Sequence, residues 1–231
     1  MTSELKAKLK RGEVAIAVNI GGHNPDIIEH LARLGADVSF IDCERTGIGI
    51  DAATDLIRAA RAARLPCVVR SWSRAPEVLV RYLDRKADGI VVPHVDTAQE
   101  AAAIVELVRY ACGDAAAADK LVVVQIETQA AVKEAAAIAA VPGVDVVLIG
   151  PNDLSYEMTG KRGARTVAVD AAIAQVAAHM RQAGRPFGMP GRLHEIAQFR
   201  ALGATFLYYP VEWLLERGLE ELKRAVTQPP G

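Results

Sequence analysis

The sequence predicts a single (β/α)8 barrel, and three observations carry that expectation. Eight short apolar runs rich in β-forming residues recur along the chain, helical segments lie between them, and composition stays uniform from end to end. The runs are Val14–Ile20, Val38–Ile41, Cys67–Val69, Gly89–Val92, Leu121–Ile126, Val144–Ile149, Pro186–Gly188 and Thr205–Tyr209. Most are continuously apolar rather than alternating, as parallel strands covered by helices must be. A spacing of roughly 25–30 residues suits a closed barrel of βα units better than an open doubly wound sheet. One such domain accounts for all 231 residues, so it is expected to span 1–231.

The intervening helices carry physical start and stop signals. Asn24 followed by Pro25 reads as a cap with proline at the first helical position, opening a helix to Leu34. Asp51 is placed to cap an alanine-rich helix running to Ala63, and Thr97 with Glu100 has capping-box spacing for a helix to about Tyr110. Gly35, Gly184 and Gly203 fall just past helices, where a left-handed residue closes the last turn. The final helix, about Val211 to Val226, sets Leu214, Leu215, Leu219, Leu222 and Val226 toward one side. Cys112–Ala118 and Ser155–Val167 read as the longer loops.

Composition narrows the function. Hydrophobic residues make up 51% and charged residues 24%, with a formal net charge of −1 and no basic stripe. Nucleic acid and anionic membranes are therefore poor partners. Met1–Arg11 is polar and lysine-rich with no apolar core behind it, and Lys133, Glu134 and Asp145 interrupt the most apolar region. Cys43, Cys67 and Cys112 form neither a disulfide framework nor a zinc motif, which suits a cytoplasmic protein. No G-x-G-x-x-G follows the first strand and there is no P-loop.

Barrel enzymes build their sites at the carboxyl ends of the strands. Here those ends carry His23 and Asn24, then Asp42, Glu44 and Arg45, then Arg70, then His94 and Asp96, then Glu127, and finally Asn152 and Asp153. Glu127 and Asp153 follow adjacent strands, so their carboxylates converge and repel unless a cation lies between them. Oxygen ligands with waters favour Mg²⁺ or Mn²⁺. The same spacing also suits a loop acid and a helix cap.

Val124-Gln-Ile-Glu-Thr128 followed by Ile149-Gly-Pro-Asn-Asp-Leu-Ser155 resembles the paired signature of the class II pyruvate aldolases, in the hydroxy-oxoheptanedioate aldolase (HpcH/HpaI) and citrate lyase family. Phe40–Arg45, Val68–Arg70 and Gly89–Pro93 fall in the matching order around it, so the resemblance covers almost the whole chain. It implies a barrel whose last helix is exchanged between subunits of a homo-oligomer, from dimer to hexamer. Further, it implies that Glu127 and Asp153 hold a divalent cation (Mg, Mn or Co) and that Arg70 steadies a pyruvate enolate formed there. The small-molecule substrate would be a 4-hydroxy-2-oxoacid, with Gly150, Pro151 and Asp42 in the binding site and Asp84 orienting the catalytic base. Asp84 also reads as a surface acid closing a helix. The lysines give independent support against a Schiff-base mechanism, which needs one near a strand end inside the barrel mouth: Lys6, Lys8 and Lys10 precede the barrel, Lys86, Lys120, Lys133, Lys161 and Lys223 fall on helices or loops, and none is well placed.

The sequence departs from that family at Arg45, where the family's usual base is histidine. An arginine stays protonated and cannot serve as that base. The connection after the fourth strand, around Arg109–Ala115, is also shorter than the family's loop. Three accounts follow: His23 or His94 has taken over as base; the enzyme decarboxylates an oxaloacetate-type substrate and needs no base there; or Arg45 binds a second carboxylate. A non-catalytic ligand-binding relative is the alternative from another class, and the retained carboxylate pair and Arg70 argue against it.

Overall fold

Eight parallel strands close into a barrel in simple chain order, as expected. The computed structural model describes residues 1–227, so the last residues of the predicted domain, 228–231, lie outside the described residues. The strands are β1 Ala15–Asn19, β2 Val38–Asp42, β3 Cys67–Arg70, β4 Gly89–Val92, β5 Leu121–Ile126, β6 Val146–Ile149, β7 Phe187–Pro190 and β8 Phe206–Pro210. Closure is made by β1 on β8, in register from Ala15 opposite Phe206 to Asn19 opposite Pro210.

Strand alternation sorts the side chains into two cores. Ala17, Phe40, Val68, Val91, Val123, Leu148 and Phe206 fill the barrel interior. Their neighbours in sequence point outward and pack under the helices, Val69 with Ile28 and Leu56 on one side and Val124 with Ile104 and Ile138 on the other. Each fully buried aliphatic side chain of this kind contributes about 1.5–3 kcal/mol.

The helices are α1 Thr2–Lys10, α2 Pro25–Leu34, α3 Ile50–Ala62, α4 Pro76–Asp84, α5 Ala98–Cys112, α6 Asp114–Ala117, α7 Gln129–Ala140, α8 Pro151–Thr159, α9 Val167–Gln182, α10 Ile196–Leu202 and α11 Val211–Thr227. Thr97 makes the expected reciprocal capping box with Glu100. Gly35 and Gly203 close α2 and α10 in the left-handed conformation.

Several local expectations need correction. Asp51 sits in the first turn of α3 rather than at its cap, which Gly49 occupies. Cys112–Ala118 is no plain loop, because Asp114–Ala117 form the short α6. Ser155–Val167 begins inside α8, which Gly160 ends in the left-handed conformation. The polar N-terminal segment also forms a helix, α1. It closes the barrel's lower end by placing Leu5 and Leu9 into the interior core, while Lys6 pairs with Asp145 at 3.0 Å. Two leucines four residues apart were the available signal, hidden among lysines.

The last helix is the outlier. No residue of α11 is buried, and Leu214, Leu215, Leu219, Leu222 and Val226 are exposed. On β1, beside the seam with β8, Ile16 is 45% exposed although it lies on a strand. Only the first turn of α11 touches the barrel, Val211 packing against the core and Trp213 edge-on to Tyr209, and from Leu214 to Thr227 the helix leaves it. Among the described residues no helix is long and apolar enough to cross a membrane.

Candidate active site

The top layer of the barrel interior changes from apolar to polar. The inward register that runs through Ala15 and Ala17, Val38 and Phe40, Val68, Leu121 and Val123, and Phe206 continues to Asn19, Asp42, Arg70, Gln125 and Tyr208. Glu127 extends that register just past β5. Above this layer opens a cavity of about 350 Å³. Its walls include Asp42, Arg45, Arg70, Glu127, Asp153 and Arg162.

Arg70 is held by two acids. Its Nε donates to Asp42 Oδ1 at 2.9 Å and its Nη2 to Asp42 Oδ2 at 2.5 Å, while Nη1 lies 3.1 Å from Glu44 Oε2. Asp42 is itself fixed by the backbone N–H groups of Glu44 and Arg45, both at 3.1 Å, and by the Asn19 amide at 3.3 Å. Burial works against the Arg70 charge, but the hydrogen bonds and charges of Asp42 and Glu44 outweigh it and hold the guanidinium protonated. Asp42, expected in the substrate site, lines the cavity with both oxygens engaged in this brace.

Glu127 is 2% exposed. Burial raises its pKa, with Glu44 and Asp153 adding repulsion and His94 opposing them. Its Oε1 accepts from Gln125 Nε2 at 2.8 Å, and its Oε2 accepts from the backbone N–H of His94 at 3.1 Å. Gly150 makes room for this carboxylate: a Cβ there would lie 2.4 Å from Glu127 Oε1. Pro151 then starts α8, and the first-turn N–H groups of Asn152 and Asp153 have no intrahelical partner, beside the cavity that Pro151, Asn152 and Asp153 line.

Asp153 sits in that first turn and makes no capping hydrogen bond within α8. Instead two arginines converge on it: Arg45 Nη2 lies 2.7 Å from Oδ2, and Arg162 Nη2 lies 3.1 Å from Oδ1. Among the described residues no group of three or more His, Cys, Asp or Glu forms a metal-binding cluster. The donors that do meet here, Glu127 and Asp153, are hard oxygens. One further buried oxygen on the cavity wall, Gln125 Oε1, lacks a hydrogen-bond partner among the described residues. A small divalent cation fits that chemistry, with waters or substrate completing its shell.

The other expected residues divide. His94 reaches the site: its Nδ1 is 3.3 Å from Glu127 Oε2 and its Nε2 3.5 Å from Glu44 Oε1, with the backbone in the left-handed region at φ +54°. His23 turns away, 3.8 Å from Asp55 on α3. Asp84 is the exposed last residue of α4, at the opposite end of the barrel, so within one chain it cannot orient a group at Arg45. Sequence reasoning missed Asn19, Gln125 and Tyr208, which period-two counting from the inward residues of each strand would have found. Arg162 and Trp213, also on the cavity wall, carried no comparable signal.

The HpcH/HpaI aldolase/citrate lyase family model matches residues 16–209, most of the chain and every strand but the first residue of β1 and the last of β8. The chain belongs to this family. Such a lyase is similar to a 4-hydroxy-2-oxo-heptane-1,7-dioate aldolase of Shigella sonnei, 33% identical over 96% of this chain and 94% of the relative. A hydroxypyruvate/pyruvate aldolase of Paraburkholderia phytofirmans is 28% identical over 96% and 97%. Among solved structures, a family member from Burkholderia cenocepacia superposes with a TM-score of 0.87 at 28% identity, covering 97% of this chain and 99% of that one.

Proposed function

We propose that this family member is a divalent-metal-dependent carbon–carbon lyase that cleaves 4-hydroxy-2-oxoacids by way of a pyruvate enolate. The observation that carries the reading is the buried, doubly braced Arg70 in the same cavity as the Glu127 and Asp153 carboxylates. Glu127 and Asp153 would hold the cation, which when bound supplies Lewis acidity to the substrate's ketone. The chain's own groups supply the rest. Gly150 and Pro151 line the cavity where α8 begins; the Gly150 N–H is taken by Ile126 and proline has none, so the donors that suit the carboxylate of the oxoacid are the first-turn N–H groups of Asn152 and Asp153. Arg70, unable to turn away from Asp42, offers fixed positive charge where the enolate oxygen develops.

Proton transfer at the C4 hydroxyl is the open step. Arg45 occupies the expected base position and cannot take a proton. His94 is the imidazole of the two candidates that touches the site. The arginine at the base position favours a second reading, decarboxylation of an oxaloacetate-type substrate, in which loss of CO₂ leaves the enolate without removal of a hydroxyl proton.

Assembly follows from packing. Among the described residues, nothing covers the exposed Ile16 beside the β8–β1 seam or the apolar side of α11. Exchange of α11 between subunits of a homo-oligomer would cover both. Light scattering at micromolar concentration is expected to give at least a dimer, and a monomer would overturn this part.

Chelation tests the central reading. EDTA is expected to abolish turnover of a 4-hydroxy-2-oxoacid, and Mn²⁺, Mg²⁺ or Co²⁺ to restore it. Borohydride with pyruvate should leave activity intact. Turnover that survives chelation, or a lysine trapped covalently, would sink it.

A further inference from the structure

We infer that Arg45 and Arg162 together bind the second carboxylate of a short 2-oxo diacid, an assignment that rests on the metal-site reading above. The two side chains come from different loops, β2–α3 and α8–α9, and meet on one carboxylate: Arg45 donates to Asp153 Oδ2 at 2.7 Å, and Arg162 Nη2 lies between the two oxygens, 3.1 Å from Oδ1 and 3.3 Å from Oδ2. Neither is anchored elsewhere. Arg45 has one other acid nearby, Glu44 at 3.8 Å, and among the described residues Arg162 pairs with no acid but Asp153. Arg70 is the contrast, already engaged by Asp42 and Glu44.

A cation on Asp153 competes with both guanidinium groups for the same two oxygens. Whatever Asp153 gives to the cation, the arginines lose, and they are left charged on the cavity wall. The group that fits two converging guanidinium forks is a carboxylate, which accepts paired N–H bonds in one plane. The position of the pair also limits chain length. Both arginines sit one hydrogen bond from a proposed metal ligand, so the carboxylate they reach lies within a bond or two of the reacting carbon. Four- and five-carbon 2-oxo diacids satisfy this; the far end of a seven-carbon chain does not.

In a five-carbon 4-hydroxy-2-oxo diacid the second carboxylate is attached to C4. The C4 hydroxyl gives up its proton and becomes a carbonyl as the C3–C4 bond breaks. That bond's electron pair enters the enolate, which takes a proton at C3 and leaves as pyruvate. The other product is an α-oxo acid of the glyoxylate class, still carrying the clamped carboxylate. No oxidant or further reactant is needed.

The test compares matched unreactive ligands by calorimetry on the Mn²⁺-loaded protein: 2-oxoglutarate, 2-oxopentanoate with a methyl in place of the second carboxylate, and the longer 2-oxoheptanedioate. Wild type is expected to prefer 2-oxoglutarate over 2-oxopentanoate by at least about tenfold, the scale of one charged hydrogen-bonded contact, and to show no such preference for the seven-carbon diacid. Arg45→Gln and Arg162→Gln should each cut the preference about tenfold. In Mn²⁺ titrations followed by electron paramagnetic resonance, ligand-free Arg45→Gln should take up the ion at lower concentration than wild type, since a competitor for Asp153 is gone. Equal binding of the two five-carbon ligands by a wild type that still holds Mn²⁺ and pyruvate overturns the clamp alone, as does a preference that survives in both variants. A wild type that binds neither Mn²⁺ nor pyruvate overturns the metal-site reading and the clamp with it.

Discussion

On the β2–β3 flank of the barrel mouth, Arg70 is 12% exposed and gripped by two carboxylates; Arg45, from the β2–α3 loop, is 41% exposed and reaches across to the β6–α8 flank, where it shares the Asp153 carboxylate with Arg162. The first arrangement has more acid than base, the second more base than acid. Buried pairs keep their partners because separating them strands a charge in low dielectric, whereas half-exposed pairs can exchange partners at little cost. The difference assigns the work. Arg70 suits a job in which the positive charge must not move, and Arg45 one in which it must. Both are arginines beyond the carboxyl end of an apolar run, Arg70 directly after Cys67–Val69 and Arg45 four residues past Val38–Ile41.

The largest expected effect comes from breaking the rigid flank. Arg70→Ala should lower kcat/KM for both cleavage and decarboxylation by about 10²–10³-fold, since both pass through the same enolate. It should also destabilise the fold by about 3–5 kcal/mol, because Asp42 and Glu44 lose their counter-ion. Arg70→Lys keeps the charge and loses the fork, so it separates the two effects: activity should fall while the melting temperature largely recovers. Equal activity in wild type and Arg70→Lys would show that the braced geometry has no catalytic role.

The exchangeable flank is tested by Arg45→His. If the absent base limits cleavage, this variant should speed breakdown of a monoacid such as 4-hydroxy-2-oxopentanoate by at least about tenfold, with oxaloacetate decarboxylation little changed. For diacids its KM should rise. A wild type already fast on the monoacid would show that another group, with His94 the nearest candidate, acts as base.

A smaller effect distinguishes the interior from the rim by pH. Tyr208 donates no charge to the site. Burial pushes its phenol up to about 12, against the opposing influence of Arg70 and the Asn19 contact at 2.6 Å. A phenol whose folded pKa is raised stabilises the fold fully below its unfolded value near 10, and that contribution is lost as pH rises through about 12. In an alkaline titration followed by tyrosinate absorbance, Tyr208→Phe should remove a late-ionising component. If it removes an early one instead, Tyr208 is solvated and the upper layer is looser than described.

Much of the site was legible because barrel topology converts chain order into proximity. Glu127 and Asp153 follow neighbouring strands β5 and β6, so their convergence could be read before any coordinates. Gly150 had its reason one strand away, in the space Glu127 occupies. Asp84 shows the limit. Its position in the sequence matches a site residue, yet α4 carries it to the far end of the barrel. The partner of Arg45 was equally hidden, because Asp153 and Arg162 arrive from sequence separations that no local pattern encodes.

By itself the sequence determined the number, order and type of the strands, the family, and the ring of polar groups at their carboxyl ends. Apolar runs and helix caps act over a few residues, and parallel β/α alternation leaves few ways to close them. Tertiary structure alone decided which charges share a partner, which histidine faces the site, and that α11 leaves the barrel beyond its first turn with its leucines exposed. Those outcomes depend on burial and on distances of a few ångströms between loops far apart in the chain, where Coulomb energies change severalfold with local dielectric.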